Sequence, residues 1–330
     1  MQTLARISAA AILIACALVA NAASPGTLLV LNKSDNTVSL VDLASKKSVA
    51  TIPTGSGPHE VAVSTDGRTA VVCNYGSQLS PGSTLTVIDI PARKASRTID
   101  LQQYRRPHGI AWLRGNEVAV TTEGSKTLLI VDVDAGKVTT AIETDQNGSH
   151  IVALAPKHDR AFVANIGSGS VSVIDLKTKQ RVANIPSGTG TEGIDVSPDQ
   201  REVWATNRGG DTVSIIDVAS SRIVATVDSK SFPIRAKFTD DGKHVLVSNA
   251  QSGDVAVFDA ASRREVRRIK MPSDASVPVG ILIVPTLSRA FVANTNADTV
   301  TVIDLKSWQI VDRLIAGKEP DGLGYSPLTL

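Results

Sequence analysis

Apolar and small polar residues alternate along short stretches of this chain, and one such stretch occurs seven times. Ser170-Val171-Ser172-Val173-Ile174-Asp175 is one copy; the others run from Thr37 to Asp42, Thr84 to Asp89, Thr127 to Asp132, Thr212 to Asp217, Asp254 to Asp259 and Thr299 to Asp304. A two-residue alternation closed by Asp predicts a half-buried strand ended by an Asx-type turn. The closing aspartates are spaced by 47, 43, 43, 42, 42 and 45 residues. That period belongs to repeat arrays and propellers.

Three further strands flank each copy. Upstream lies a short apolar run ending in Asn, as in Phe162-Val163-Ala164-Asn165, Trp204-Ala205-Thr206-Asn207 and Phe291-Val292-Ala293-Asn294; one unit has Thr122 instead. Before this run comes a strand that stops at a turn signal, such as Val61-Ala62-Val63-Ser64 followed by Asp66-Gly67. After the Asp comes a fourth, such as Arg181-Val182-Ala183-Asn184-Ile185-Pro186. Four antiparallel strands per unit define one blade of a β-propeller. The first unit starts at Leu28-Leu29-Val30-Leu31-Asn32 without an inner strand, and the chain ends on an inner strand, Asp321 to Ser326, without a blade of its own. The expected fold is therefore all-β, a single seven-bladed propeller over residues 27–327. Its C-terminal inner strand pairs with the N-terminal strands and leaves no open edge.

Residues 1–22 read differently. Arg6, the apolar run from Ile7 to Val19 and the small residues Ala20-Asn21-Ala22 form a secretory leader with a cleavage site. The run is too short for a membrane span, and no second apolar segment follows. Leu13-Ile14-Ala15-Cys16 is similar to a lipoprotein acylation site, but the apolar run continues past Cys16, so the expectation is a periplasmic or secreted chain rather than a lipid-anchored one. Of 34 basic residues against 32 acidic, only Arg6 leaves with the leader, and near-neutrality excludes bulk nucleic-acid binding. Cys73 remains as a lone, buried-type cysteine, which rules out an intramolecular disulfide.

The order of motifs, with Pro58-His59, Ser197-Pro198-Asp199, Trp204-Ala205-Thr206-Asn207 and the strand ending at Asp217, resembles the propeller family named for its Tyr-Val-Thr-Asn repeat, found in exported bacterial and archaeal surface-layer proteins. The resemblance implies a seven-bladed propeller and an exported protein, expected as a monomer. Propellers of this shape serve haem-binding nitrite reductase domains, copper reductases, lactonases and lyases, so the fold alone selects no chemistry.

Chemistry has to come from the channel mouth, where each inner strand begins. Superposing the repeats puts His59, His108, His150, Glu192, Ile234, Val279 and Asp321 there. Three imidazoles beside a carboxylate suit a divalent transition metal or a non-covalent haem, with His59, His108 and His150 as ligands. At a sheet-like spacing of about 10 Å between inner strands, adjacent histidines could share an ion, whereas His59 and His150 would be about 15–18 Å apart. The plain alternative is that Pro-His belongs to the repeat, its ring capping a loop carbonyl. His158 and His244 fall in hairpin turns and are expected in solvent. Tyr104, Arg105 and Arg106 enter the mouth on one loop, Arg208 and Arg235 on others, and the long loop from Tyr75 to Ser83 rises beside them; guanidinium groups with aromatic partners suit a small anionic ligand.

Gly188-Thr189-Gly190-Thr191-Glu192-Gly193 spells a dinucleotide fingerprint but opens a strand rather than a helix. Arg263, Arg264, Arg267, Arg268 and Lys270 fall on an outermost strand, a solvated face. The expected function is an exported binding or scaffold protein holding a small ligand or a protein partner at the mouth through His59, His108, His150, Glu192, Asp321, Tyr104, Arg106 and Arg235. The alternative is a metal- or haem-dependent enzyme of redox, lyase or lactonase type, and catalysis stays open.

Overall fold

A computed structural model describes residues 25–274 and 276–330; the leader expected over residues 1–22 lies outside them. Seven four-stranded antiparallel sheets form a ring. Blade 1 combines residues 27–53 with the C-terminal strand Pro320–Ser326, and blades 2 to 7 follow as residues 58–100, 107–143, 149–186, 191–228, 233–270 and 278–315. Pairing of Thr27 with Ser326 and of Val30 with Leu323 closes the ring as the strand count required.

The burial pattern explains why the sequence folds this way. The two middle strands of a blade are buried on both faces, as in Arg160–Asn165 and Ser170–Asp175, because each sheet packs against a neighbour on either side. The outermost strands, such as Arg264–Lys270, bury one residue of seven. The basic residues there are paired or solvated, Arg268 with Glu265 and Asp254, and Arg263 with Glu202. The strand-ending asparagines are buried cross-braces. Asn165 donates to Ser172 Oγ at 2.9 Å, and Asn32 donates to Ser39 Oγ at 2.9 Å while its own oxygen accepts from Gly317 N across the closing seam.

One local irregularity prepares the mouth. Every inner strand breaks register in its first residues, between Pro58 and Val61, Pro107 and Ile110, Ser149 and Val152, Thr191 and Ile194, Pro233 and Arg235, Pro278 and Ile281, and at the Val30/Asn32 step facing Pro320. A β-bulge takes residues out of the ladder and re-aims them, here toward the channel axis. Hydroxyls of the neighbouring strand satisfy the freed backbone: Gly109 N donates to Thr121, Gly193 N to Thr206 and Arg235 N to Ser248. The third residue of each inner strand alternates large and small around the ring, as Glu60, Gly109, Ile151, Gly193, Arg235, Gly280 and Gly322. A methyl group at any of these four glycines would strike the backbone of the next inner strand.

Candidate functional site

That convergence corrects the spacing expected from packed sheets. The imidazoles of His59 and His108 have centroids 5.0 Å apart, and those of His108 and His150 are 3.7 Å apart and tilted by 34°. Blades narrow toward the axis, so the three rings form one contiguous row, edge-on at 60° between His59 and His108 and tilted between His108 and His150.

The row sits among charges from three repeat positions. The second residues of the inner strands supply His59, His108, His150, Glu192 and Asp321, and the third supply Glu60 and Arg235. The residue just after the strand-ending Asn or Thr supplies Lys33, Tyr75, Glu123 and Arg208. His150 Nδ1 bonds Glu123 Oε1, and its Nε2 faces Glu192 Oε1 at 3.4 Å, an ion-pair contact too poorly aligned for a hydrogen bond. Arg208 donates to Glu192 Oε2 at 2.9 Å, Arg235 bonds Glu60 at 2.6 Å and lies 3.5 Å from Glu192, and Tyr75 donates to Glu123 Oε2 at 2.5 Å. Lys33 stands 3.9 Å from Asp321. His108, His150, Glu192, Arg235 and Asp321 are each under 9% exposed and make up a buried floor.

Burial and charge set these groups differently. Burial would strip His150 of its proton, but the hydrogen bond to Glu123 and the nearby carboxylates of Glu123 and Glu192 outweigh that and raise its pKa to about 9. His108 is driven well below the usual imidazole value by burial and by the positive charges of His150, His59 and Arg235. His59 is also lowered, chiefly by burial, although Asp321 and the Gly57 carbonyl oppose it. Burial would raise Glu123 and Glu192, yet His150 and, for Glu192, the two arginines hold both below the ordinary carboxylate value. Burial and Glu123 push Tyr75 up to about 12. The floor thus contains one imidazolium and one neutral imidazole in contact.

Above the floor, His59 lines an open depression of about 550 Å³ with Lys33, Tyr75, Gln78 and Arg106. Its Nδ1–H donates to Gly57 O at 2.7 Å, the carbonyl cap expected of the repeat, and this leaves Nε2 with a free lone pair. The Arg106 guanidinium lies over Tyr75 at 5.0 Å. A second depression, of about 750 Å³, contains Arg208 and Phe232. Tyr104 does not join this group; it packs against the hydrophobic core around Leu101. His158 is exposed, whereas His244, expected in solvent, begins a strand and packs edge-on against Trp308. Gly188 to Gly193 leads into the strand Thr191–Val196, and no helix follows. Cys73 is buried.

Sequence reasoning missed Glu60 and Glu123 and named Tyr75 only as a loop boundary. Aligning the residue after each strand-ending Asn would have found three members of the site at once. The exchange of Asn for Thr122 beside Glu123 marks the blade whose mouth position differs.

Fold and mouth together define a seven-bladed β-propeller that gathers ionisable side chains at one end of its channel. A family model, the Cytochrome D1 heme domain, matches residues 110–287, from the inner strand of blade 3 to that of blade 7, and the chain belongs to this family. The match covers Glu123, His150, Glu192, Arg208 and Arg235 and stops short of His59, Tyr75 and His108. The fold expected from the Tyr-Val-Thr-Asn-like repeat holds, and the family is the one that the match identifies. Among solved structures, Kuenenia stuttgartiensis hydrazine synthase superposes with a TM-score of 0.71 over 80% of this chain and 88% of that chain at 19% identity, a likeness of fold. No curated protein matches the chain in sequence. Among the described residues, no helix is long and apolar enough to cross a membrane.

Proposed function

We propose that this exported propeller binds a haem-type, anionic macrocycle across the channel mouth, with His59 as the imidazole offered to the metal. The observation that carries this reading is the state of His59. Its Nδ1–H is fixed on a backbone carbonyl, which leaves Nε2 free, its pKa is depressed, and the residue lines an open depression. Ligating histidines have that arrangement, with the second nitrogen tied to a carbonyl or carboxylate. The family's description as a heme domain points the same way. Lys33, Arg106 and Arg208 at the rim suit the carboxylates of such a ligand, and Tyr75 gives it an aromatic wall. The floor side chains are buried, so a macrocycle would lie over the mouth rather than among them. Bound iron would supply one-electron chemistry; the protein would bind, orient and shield it. Titrating the purified chain with haem should give one equivalent bound and a shifted Soret band. His59→Ala should abolish the shift. Haem that binds His59→Ala with an unchanged spectrum overturns the reading.

A second reading, proton transfer to a small carboxylate ligand in the manner of a lyase or lactonase, is favoured by the hydrogen-bonded line from Tyr75 through Glu123 to His150. Binding of such a ligand should weaken with salt and depend on Arg106 and Arg208. Salt-independent binding would remove it.

A further inference from the structure

Beneath the mouth the floor carries a feature that a macrocycle above it would not use. Two buried imidazole nitrogens, His108 Nδ1 and His150 Nε2, have no hydrogen-bond partner among the described residues. A buried polar atom left unpaired is unfavourable, and here the two rings are in contact. Glu123, bonded to His150 at Nδ1, stands with them: one nitrogen of each ring and one Glu123 oxygen lie within 4.8 Å of one another. Three donors on a common ion at bonds of about 2.1 Å stand about 3.4–3.6 Å apart, so side-chain shifts of up to about 1 Å would close the site.

We propose that His108, His150 and Glu123 form a site for a divalent first-row transition ion of the zinc type, without His59 among its ligands. Two imidazoles and a carboxylate are the ligand mixture such ions prefer over magnesium or calcium. Tyr75, which donates to the other oxygen of Glu123, orients that carboxylate from outside, as ligand-supporting groups do. Charge is compatible with the assignment. Glu60, Glu123, Glu192 and Asp321 are balanced by Lys33, Arg208, Arg235 and the His150 imidazolium, so the ion would take the place of the His150 proton. A divalent ion would leave it one charge positive and raise the mouth's affinity for an anion.

Cobalt(II) tests this without any haem. The chelator-treated full chain should bind one equivalent and develop visible ligand-field bands. His108→Ala and Glu123→Gln should each weaken binding by at least about tenfold. His59→Ala should keep it within about twofold, which also separates this outcome from failure of the haem reading. Thermal melting of each variant without metal identifies any that fails to fold, and for such a variant His108→Asn replaces the alanine. No band in the wild type, equal binding in the folded His108 variant, or loss of binding in His59→Ala would each overturn the proposal.

Discussion

Two arcs of the mouth face each other across one channel. From blade 1 through blade 5 the second residues of the inner strands are Asp321, His59, His108, His150 and Glu192; on blades 6 and 7 they are Ile234 and Val279. The backbone is the same in both arcs, bulge included. Val279 packs against the core between blades 7 and 1, whereas the polar arc is held by ion pairs and stacked rings. The difference teaches that the repeat fixes where a side chain points and leaves its chemistry free. Arg235 complicates the division, since it starts from the apolar arc and reaches the polar one.

Removing residues 319–330 should have the largest effect, because it deletes Asp321 and the strand that joins the arcs. Blade 1 would lose its inner strand, and size-exclusion chromatography should show aggregate in place of folded monomer; a monomer with unchanged melting would contradict the closure. Arg235→Leu comes next. It leaves Glu60 and Glu192 buried with a partner missing, and should cost about 3–5 kcal/mol in denaturant unfolding. A cost below about 1 kcal/mol would mean that the polar arc does not depend on this crossing residue.

The pH dependence of stability comes third. His150 titrates near 9 in the folded chain and near 6.5 unfolded, so the stability it adds is complete below pH 6.5 and is lost as pH rises toward 9. The loss should be of order 2 kcal/mol between pH 7 and 9, and Glu123→Gln should flatten it. His59 and His108 act with the opposite sign: their depressed values favour the folded state above pH 6.5 and cost stability as pH falls below it. A melting temperature that stays level from pH 7 to 9 would contradict the imidazolium. The smallest effect belongs to the apolar arc, where Val279→Ala should cost about 1 kcal/mol with no pH dependence. If it costs as much as Arg235→Leu, the contrast between the arcs fails.

The fold was legible because strand alternation, turn dipeptides and a constant period all report backbone geometry, and the unpaired strands at the two ends stated the closure. The positions of His59, His108, His150 and Glu192 were legible for the same reason. Distances were not: the taper of the blades depends on Gly109, Gly193, Gly280 and Gly322 meeting neighbouring backbone, and a glycine in sequence does not say what it touches. Glu60 and Glu123 escaped because a carboxylate beside a strand end reads as surface until the partner that buries it, Arg235 or His150, is placed from another blade. Tyr104 shows the converse, an aromatic that loop position assigned to the mouth and packing assigned to the core.

The alternation of large and small residues just inside the mouth meets a parity constraint. An even ring can alternate without a fault; a ring of seven must somewhere set two like members side by side. Here the fault falls at Gly280 and Gly322, and the residues flanking it, Arg235 and Glu60, bridge the gap by meeting each other. The odd count thus gives a nearly uniform ring a unique direction, as a single misfit bond does in an odd ring of alternating spins. A derivative with an eighth blade could alternate all the way round, and its channel would have no place where such a bridge is called for.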